Sequence, residues 1–180
     1  MSSSEWGEFF AEAGQYYVVG RFAAFAGLAP ITGNLLHHAV EMFLKGGLSK
    51  KGLSLADLKK LGHNLPNIWT KFKTTFNDPA LAQFDDAVRS LHDFEDIRYP
   101  DLIVAKGMQV AINITSQPTL LNSSRPEPAY ELCLQNIDAL VGELFRTVSA
   151  NPAAFLSWRF HKPEAKKYLS EQNLVSSLIK

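Results

Sequence analysis

Asn34-Leu-Leu-His-His-Ala-Val-Glu-Met-Phe-Leu-Lys45 sets its polar side chains one helical turn apart and fills the remaining positions with apolar ones. At about 100° per residue, Asn34, His37, His38, Glu41 and Lys45 share an arc of roughly 100°. A helix with so narrow a polar stripe is buried on most sides and belongs at the centre of a helical assembly. The spacing predicts a helix that starts after the break at Pro30–Asn34 and stops at Gly46-Gly47.

On the N-terminal side, Ser3 or Ser4 is expected to cap a helix running to about Gly27. Trp6, Phe9, Phe10, Ala13, Tyr16, Tyr17, Gly20 and Ala24 form its apolar stripe. Gly14 and Gly20 weaken it locally but let a neighbour approach closely. Beyond Val18 it is apolar on nearly every side, which implies a second burial surface. Arg21 is the only Asp, Glu, Lys or Arg between Gly14 and Val40, and a lone arginine there needs a carboxylate, with Glu41 or Glu95 as candidates.

On the C-terminal side, Ser54-Leu-Ala-Asp57 reads as a capping box with Asp in the Glu position. It opens a short helix ending near Leu61-Gly62. Asn64 caps the next, with Pro66 in its first turn, ending near Phe76. Asp78-Pro79 opens a helix to about Asp96 with Leu81, Phe84, Val88, Leu91 and Phe94 on its apolar face. Pro100 ends helical structure. In 102–115 the period changes to two: Met108, Val110, Ile112 and Ile114 alternate with polar or small residues, predicting a β-hairpin turning at Lys106-Gly107. Residues 116–128, rich in Ser, Pro and Asn, read as a loop, followed by a helix from about Glu127 to Ala150 with Cys133 on its apolar stripe as a core residue. Pro152 and Pro163 start shorter helical pieces.

The expected fold is therefore all-α: an antiparallel up-down bundle of four to five helices over 1–150, with a small β-hairpin insert at 102–115 and a helical extension at 151–180 packed on it. The chain has 180 residues, 46% of them hydrophobic, enough for one domain core. Lys+Arg and Asp+Glu each number 18, so net charge is zero. That argues against a dedicated nucleic-acid binder with an overall basic surface, and it leaves self-association unopposed. A single cysteine rules out an intrachain disulfide and fits a reducing compartment. With no basic, apolar leader and no unbroken apolar span, the expectation is a soluble, cytoplasmic protein without membrane association.

Gly62-His63-Asn64-Leu65 precedes one helix, and Arg98-Tyr99-Pro100-Asp101 follows another. With the His-x-Ala-x-Glu-x-x-x-Lys pattern of the central helix, these segments in this order resemble the HEPN domain family, over about residues 4–150. The resemblance implies an antiparallel helical bundle that usually dimerises. Many members are nucleotide-associated or act as RNases in bacterial toxin–antitoxin and defence systems. The RNase branch places a histidine four to six residues after an arginine. None of Arg21, Arg89, Arg98, Arg125, Arg146 and Arg159 meets that spacing, Arg89–His92 and Arg159–His161 being too short. Members with the Arg-Tyr-Pro-Asp pattern look more often like binding or partner domains.

Each candidate group carries two readings. His38, Glu41 and Lys45 either grip a phosphate or base edge, or Glu41 and Lys45 form an ordinary i,i+4 ion pair. His63 either fixes its turn through a backbone carbonyl or faces a cleft and titrates near neutrality. Arg98, Tyr99 and Asp101 make either a turn locked by a charge pair or a phosphate contact through the guanidinium fork. His38-x-x-Glu41 and His92-x-x-Glu95 each put a histidine and a carboxylate on one helix face. Di-iron bundles use the reverse order with two further glutamates, so no metal or cofactor is assigned. Arg159, His161, Lys162, Lys166 and Lys167, interleaved with Trp158, Phe160 and Tyr168, either hold single-stranded nucleic acid or form a solvated helix face. The expectation is a non-catalytic, homodimeric module binding a nucleotide, RNA or a partner protein. Its alternatives are a divergent RNase using Arg98 with His63 or His92, and a metal-dependent enzyme.

Overall fold

The most extensive contact among the described elements joins α1 (Glu5–Phe25) to α2 (Ala29–Lys50). Glycine makes it close: a Cβ at Gly20 would lie 2.7 Å from Leu36 Cδ2. The computed structural model describes residues 4–99, 101, 104–105, 109–115, 129–156 and 162–178. It is mainly helical with a small two-stranded parallel sheet. After α2 come α3 (Leu55–Lys60), α4 (Leu65–Phe76), a 3₁₀ turn at Pro79–Phe84, α5 (Asp85–Asp93) and a second 3₁₀ turn at Asp96–Arg98. Strands β1 (Val110–Asn113) and β2 (Tyr130–Cys133) precede α6 (Leu134–Val148), α7 (Pro152–Leu156), α8 (Pro163–Ser170) and a 3₁₀ turn at Leu174–Leu178.

α2 is the central element, touching α1, α3, α4, α5, α6 and β1. It runs through Gly46-Gly47 to Lys50 instead of stopping there. The glycines are spacers for packing: a Cβ at Gly46 would meet Phe10 Cδ2 at 2.6 Å, and one at Gly47 would meet Phe72 Cε2 at 2.5 Å. Pro30 does not break this helix but sits in its first turn, where its missing N–H is harmless. Phe10, Phe43 and Phe145 are almost wholly buried and meet edge to face at centroid separations of 5.2–5.3 Å. That arrangement suits the ring quadrupoles, and burying each ring contributes about 1.5–3 kcal/mol.

Three of the expected caps form. Ser54 Oγ accepts from Asp57 N–H, Asn64 Oδ1 from Asn67 N–H and Asp78 Oδ1 from Ala80 N–H. Ser4 precedes α1 without a side-chain cap. Asp85 joins α4 to α5 by accepting from Trp69 Nε1 at 2.7 Å and Lys73 Nζ at 2.6 Å.

The expected hairpin is corrected. A strand forms at 110–113, but it pairs in parallel with 130–133, in the register Val110–Tyr130 to Asn113–Cys133. Parallel strands cannot be joined by a tight turn, so the partner comes from beyond residue 115. Val104-Ala105 are helical, and Met108 and the Lys106-Gly107 turn lie outside the described residues. For the same reason the last long helix begins at Leu134 and not near Glu127: Tyr130–Cys133 belongs to the sheet, and half-buried Cys133 lines a cleft at its edge. No helix among the described residues is long and apolar enough to cross a membrane.

Candidate functional site

Part of the polar stripe of α2 is enclosed: Glu41 is 2% and Lys45 8% exposed, whereas Asn34 and His38 are half-buried. A buried carboxylate needs partners, and Glu41 has them. Its Oε1 accepts from Lys45 Nζ at 2.7 Å, one helical turn along. His63 Nδ1 lies 3.0 and 3.1 Å from its two oxygens. Lys45 Nζ donates also to the Gly62 carbonyl at 2.7 Å. Gly62 has φ +61°, a left-handed turn that glycine adopts without strain, and this carries the chain from α3 back over α2. His63 therefore follows a turn that Lys45 pins in place.

Burial by itself would raise the Glu41 pKa. The bonds and charges of Lys45 and His63 outweigh it and hold the carboxyl below the usual 4.5. An ionised carboxylate only accepts hydrogen bonds, so His63 donates from Nδ1–H and keeps Nε2 for another partner. Its side chain is 66% exposed. His38 closes the group on the other side, with Nδ1 3.9 Å from Glu41 Oε2 and its ring edge-on to Tyr16 at 4.3 Å between centroids.

The fold thus brings His38, Glu41, Lys45 and His63 together. Lys45 is held between a carboxylate and a carbonyl, so the pairing reading holds for it and it does not reach out to a ligand. His63 bonds a carboxylate rather than the backbone carbonyl its turn suggests. Tyr99 is 54% exposed and Asp101 is exposed. Among the described residues no hydrogen bond or ion pair joins either to the Glu41 group. The side chain of Arg98, and with it the expected Arg98–Asp101 pair, lies outside the described residues, as do Trp158–His161 and the Tyr168 side chain of the basic tail. Lys162, Lys166 and Lys167 are exposed.

Arg21 is corrected. Its partner is neither Glu41 nor Glu95 but Asp138 of α6, with both side chains fully buried. Asp138 carried a readable signal. It is the only charge between Glu131 and Glu143, one residue from Ile137 on an apolar stripe, the counterpart of Arg21 on α1.

The two His-x-x-Glu pairs also separate. Glu41 turns toward Lys45 and His63, whereas His37 meets His92 and Glu95, with one ligand-type atom from each lying within 4.8 Å of the others. Sequence spacing draws attention to His38 and passes over His37, because contacts between α2 and the end of α5 have no local signature.

A cleft of about 360 Å³ lies elsewhere, between α5, the sheet and the start of α6. Among the described residues Asp86 and Glu131 are its charged lining, which disfavours an anion there. No family model, curated protein or solved structure matches this chain.

Proposed function

We propose that this chain is a non-catalytic binding module of the HEPN type, an antiparallel helical bundle that homodimerises and takes a phosphate-bearing ligand, either a nucleotide or a segment of RNA. The observation carrying this reading is the exposed imidazole of His63, held at Nδ1 by the buried, ionised Glu41. His63 immediately precedes Asn64, the cap of the 12-residue helix α4. The positive end of a helix favours an anion beside it, and Nε2 of the exposed His63 ring is left to meet the ligand in the same region. Glu41 and Lys45 act as positioning residues, neutralising each other beneath the surface. Arg98, Tyr99 and Asp101 complete the module: the guanidinium takes a phosphate and the exposed Tyr99 ring offers a stacking face to a base.

Dimerisation is assigned to the joined ends of α1 and α2. Val19, Leu28 and Ile31 are 49%, 46% and 53% exposed. A shallow groove of about 280 Å³ lined by Tyr16, Val19 and Leu35 runs beside them. Zero net charge removes the repulsion that would oppose a second copy.

Fluorescence anisotropy with a labelled single-stranded RNA, and with a labelled ATP analogue, tests the binding reading. His63→Ala and Arg98→Ala are each expected to weaken binding by about ten-fold or more, the loss of one charge-assisted hydrogen bond. No saturable binding of either probe, or affinities untouched by both variants, retires it. One observation favours the RNase alternative: a carboxylate fixing Nδ1 of an exposed imidazole is also the arrangement of a general base. RNA cleavage by the wild type that disappears in His63→Ala would establish that reading instead.

A further inference from the structure

Gly33 lets the end of α5 lie directly on α2, because a Cβ there would overlap the Phe94 ring. One turn further along α2 stands His37, fully buried. Phe94 is flanked two residues before by His92 and one residue after by Glu95, so its seating on Gly33 delivers both to His37. The His37 and His92 rings are 6.2 Å apart between centroids. His92 Nδ1 is buried, lies 3.5 Å from Glu95 Oε2 and makes no hydrogen bond among the described residues. A buried ring nitrogen beside a carboxylate and outside hydrogen-bond geometry calls for a third species between them.

We propose that His37, His92 and Glu95 bind a divalent first-row transition-metal ion. Two imidazoles and one carboxylate form a donor set that zinc and non-haem iron both accept. The carboxylate offsets part of the dipositive charge. Metal–ligand bonds of about 2.0–2.2 Å place donor atoms roughly 3–3.6 Å apart. Donors already within 4.8 Å of one another reach that spacing by shifts of about 1–2 Å in the mobile ligands. His92 and Glu95 have the freedom for it, at 30% and 23% side-chain exposure, while buried His37 is the fixed point. Their exposure also leaves the outer side of the ion open to water or an oxygen ligand. This site is separate from the His63 group and does not depend on the phosphate-ligand reading. It replaces the sequence expectation that no metal is bound.

The test is titration of chelator-treated, full-length protein with Zn2+ by calorimetry, and with Co2+ by visible absorption. One Zn2+ per chain is expected, with His92→Gln and Glu95→Gln each weakening uptake by at least about ten-fold. These two partly exposed residues are chosen because His37 is a core position, and circular dichroism confirms that each variant folds. Cys133→Ser retains wild-type uptake. Absence of saturable Zn2+ binding overturns the proposal. So does uptake unchanged in His92→Gln and Glu95→Gln, or lost in Cys133→Ser.

Discussion

Arg21 on α1 and Asp138 on α6 form an ion pair with neither side chain exposed, across 117 positions of sequence. The Tyr17 hydroxyl donates to Asp138 Oδ1 at 2.6 Å and sits 3.3 Å from Asn173 Oδ1, and Arg21 Nη2 donates to the Glu171 carbonyl. Burial pushes the Asp138 carboxyl up, against Arg21 and Tyr17. Burial also lifts the Tyr17 phenol far up, with Asp138 adding to it. Arg21→Met leaves a carboxylate in the interior without its counter-charge, so stability in urea is expected to fall by about 3–5 kcal/mol. The double variant Arg21→Met/Asp138→Leu is expected to recover most of that loss, and a double variant as weak as the single one would show that the surrounding packing, not the stranded charge, is responsible.

Glu41 has the opposite titration sign to Asp138. Its folded pKa lies below 4.5, so the folded state sheds the proton more readily than the unfolded chain. The stability it contributes is fully present above 4.5 and is lost as pH falls through the folded value. Chemical denaturation at about pH 7 and about pH 3 should show a smaller acid-induced loss in Glu41→Gln than in the wild type. An identical loss in both proteins would place the acid response on other carboxylates. Asp138, being raised, works the other way and destabilises as pH rises from 3.8 through its folded pKa.

Gly47→Ala sets two effects against each other. Alanine favours a helix interior by about 0.5–1 kcal/mol over glycine. The new methyl would stand 2.5 Å from Phe72 Cε2 and 2.9 Å from Val148 Cγ2, and overpacking of this kind costs about 1–3 kcal/mol. The larger effect wins, so the thermal midpoint should drop. Gly7→Ala is the control: among the described residues its methyl meets only Ser4 Oγ, at 3.3 Å, and there the midpoint should rise.

Val19→Glu and Ile31→Glu place charges on the exposed α1–α2 face. If that face joins two copies, sedimentation velocity should show a wild-type dimer and monomeric variants with unchanged circular dichroism. A monomeric wild type sinks the assignment.

Local signals were legible and long-range ones were not. The caps at Ser54, Asn64 and Asp78 and the apolar stripes of α1 and α2 follow from chemistry confined to one helical turn, and each appears where its residues predict it; the single helix expected from Asp78 to Asp96 is instead a 3₁₀ turn at Pro79–Phe84, α5 at Asp85–Asp93 and a second 3₁₀ turn at Asp96–Arg98. Gly46-Gly47 misled because a glycine pair ending a helix and one making room for Phe10 and Phe72 look alike until the neighbours are placed. Strand β1 announced itself by alternation, but its parallel partner is separated from it by a segment with no periodicity. In the Glu41 group the i,i+4 pair with Lys45 was readable, whereas the arrival of His63 depends on the turn at Gly62. The His37–His92–Glu95 group rests on Gly33 admitting Phe94, a relation between positions some sixty residues apart.

The Arg21–Glu171 bond also sets a timetable. These residues lie 150 positions apart, and synthesis at about 5–20 residues/s separates their appearance by roughly 8–30 s. For the first 117 of those positions the nascent chain carries a cation in an apolar helix without its Asp138 carboxylate, and for all of them without the Glu171 carbonyl. α1 and α2 are free to dock at once, but the interior around Tyr17 and Arg21 closes only when Asn173 has emerged. A chain stalled on the ribosome before that point would present this unfinished surface to chaperones and proteases.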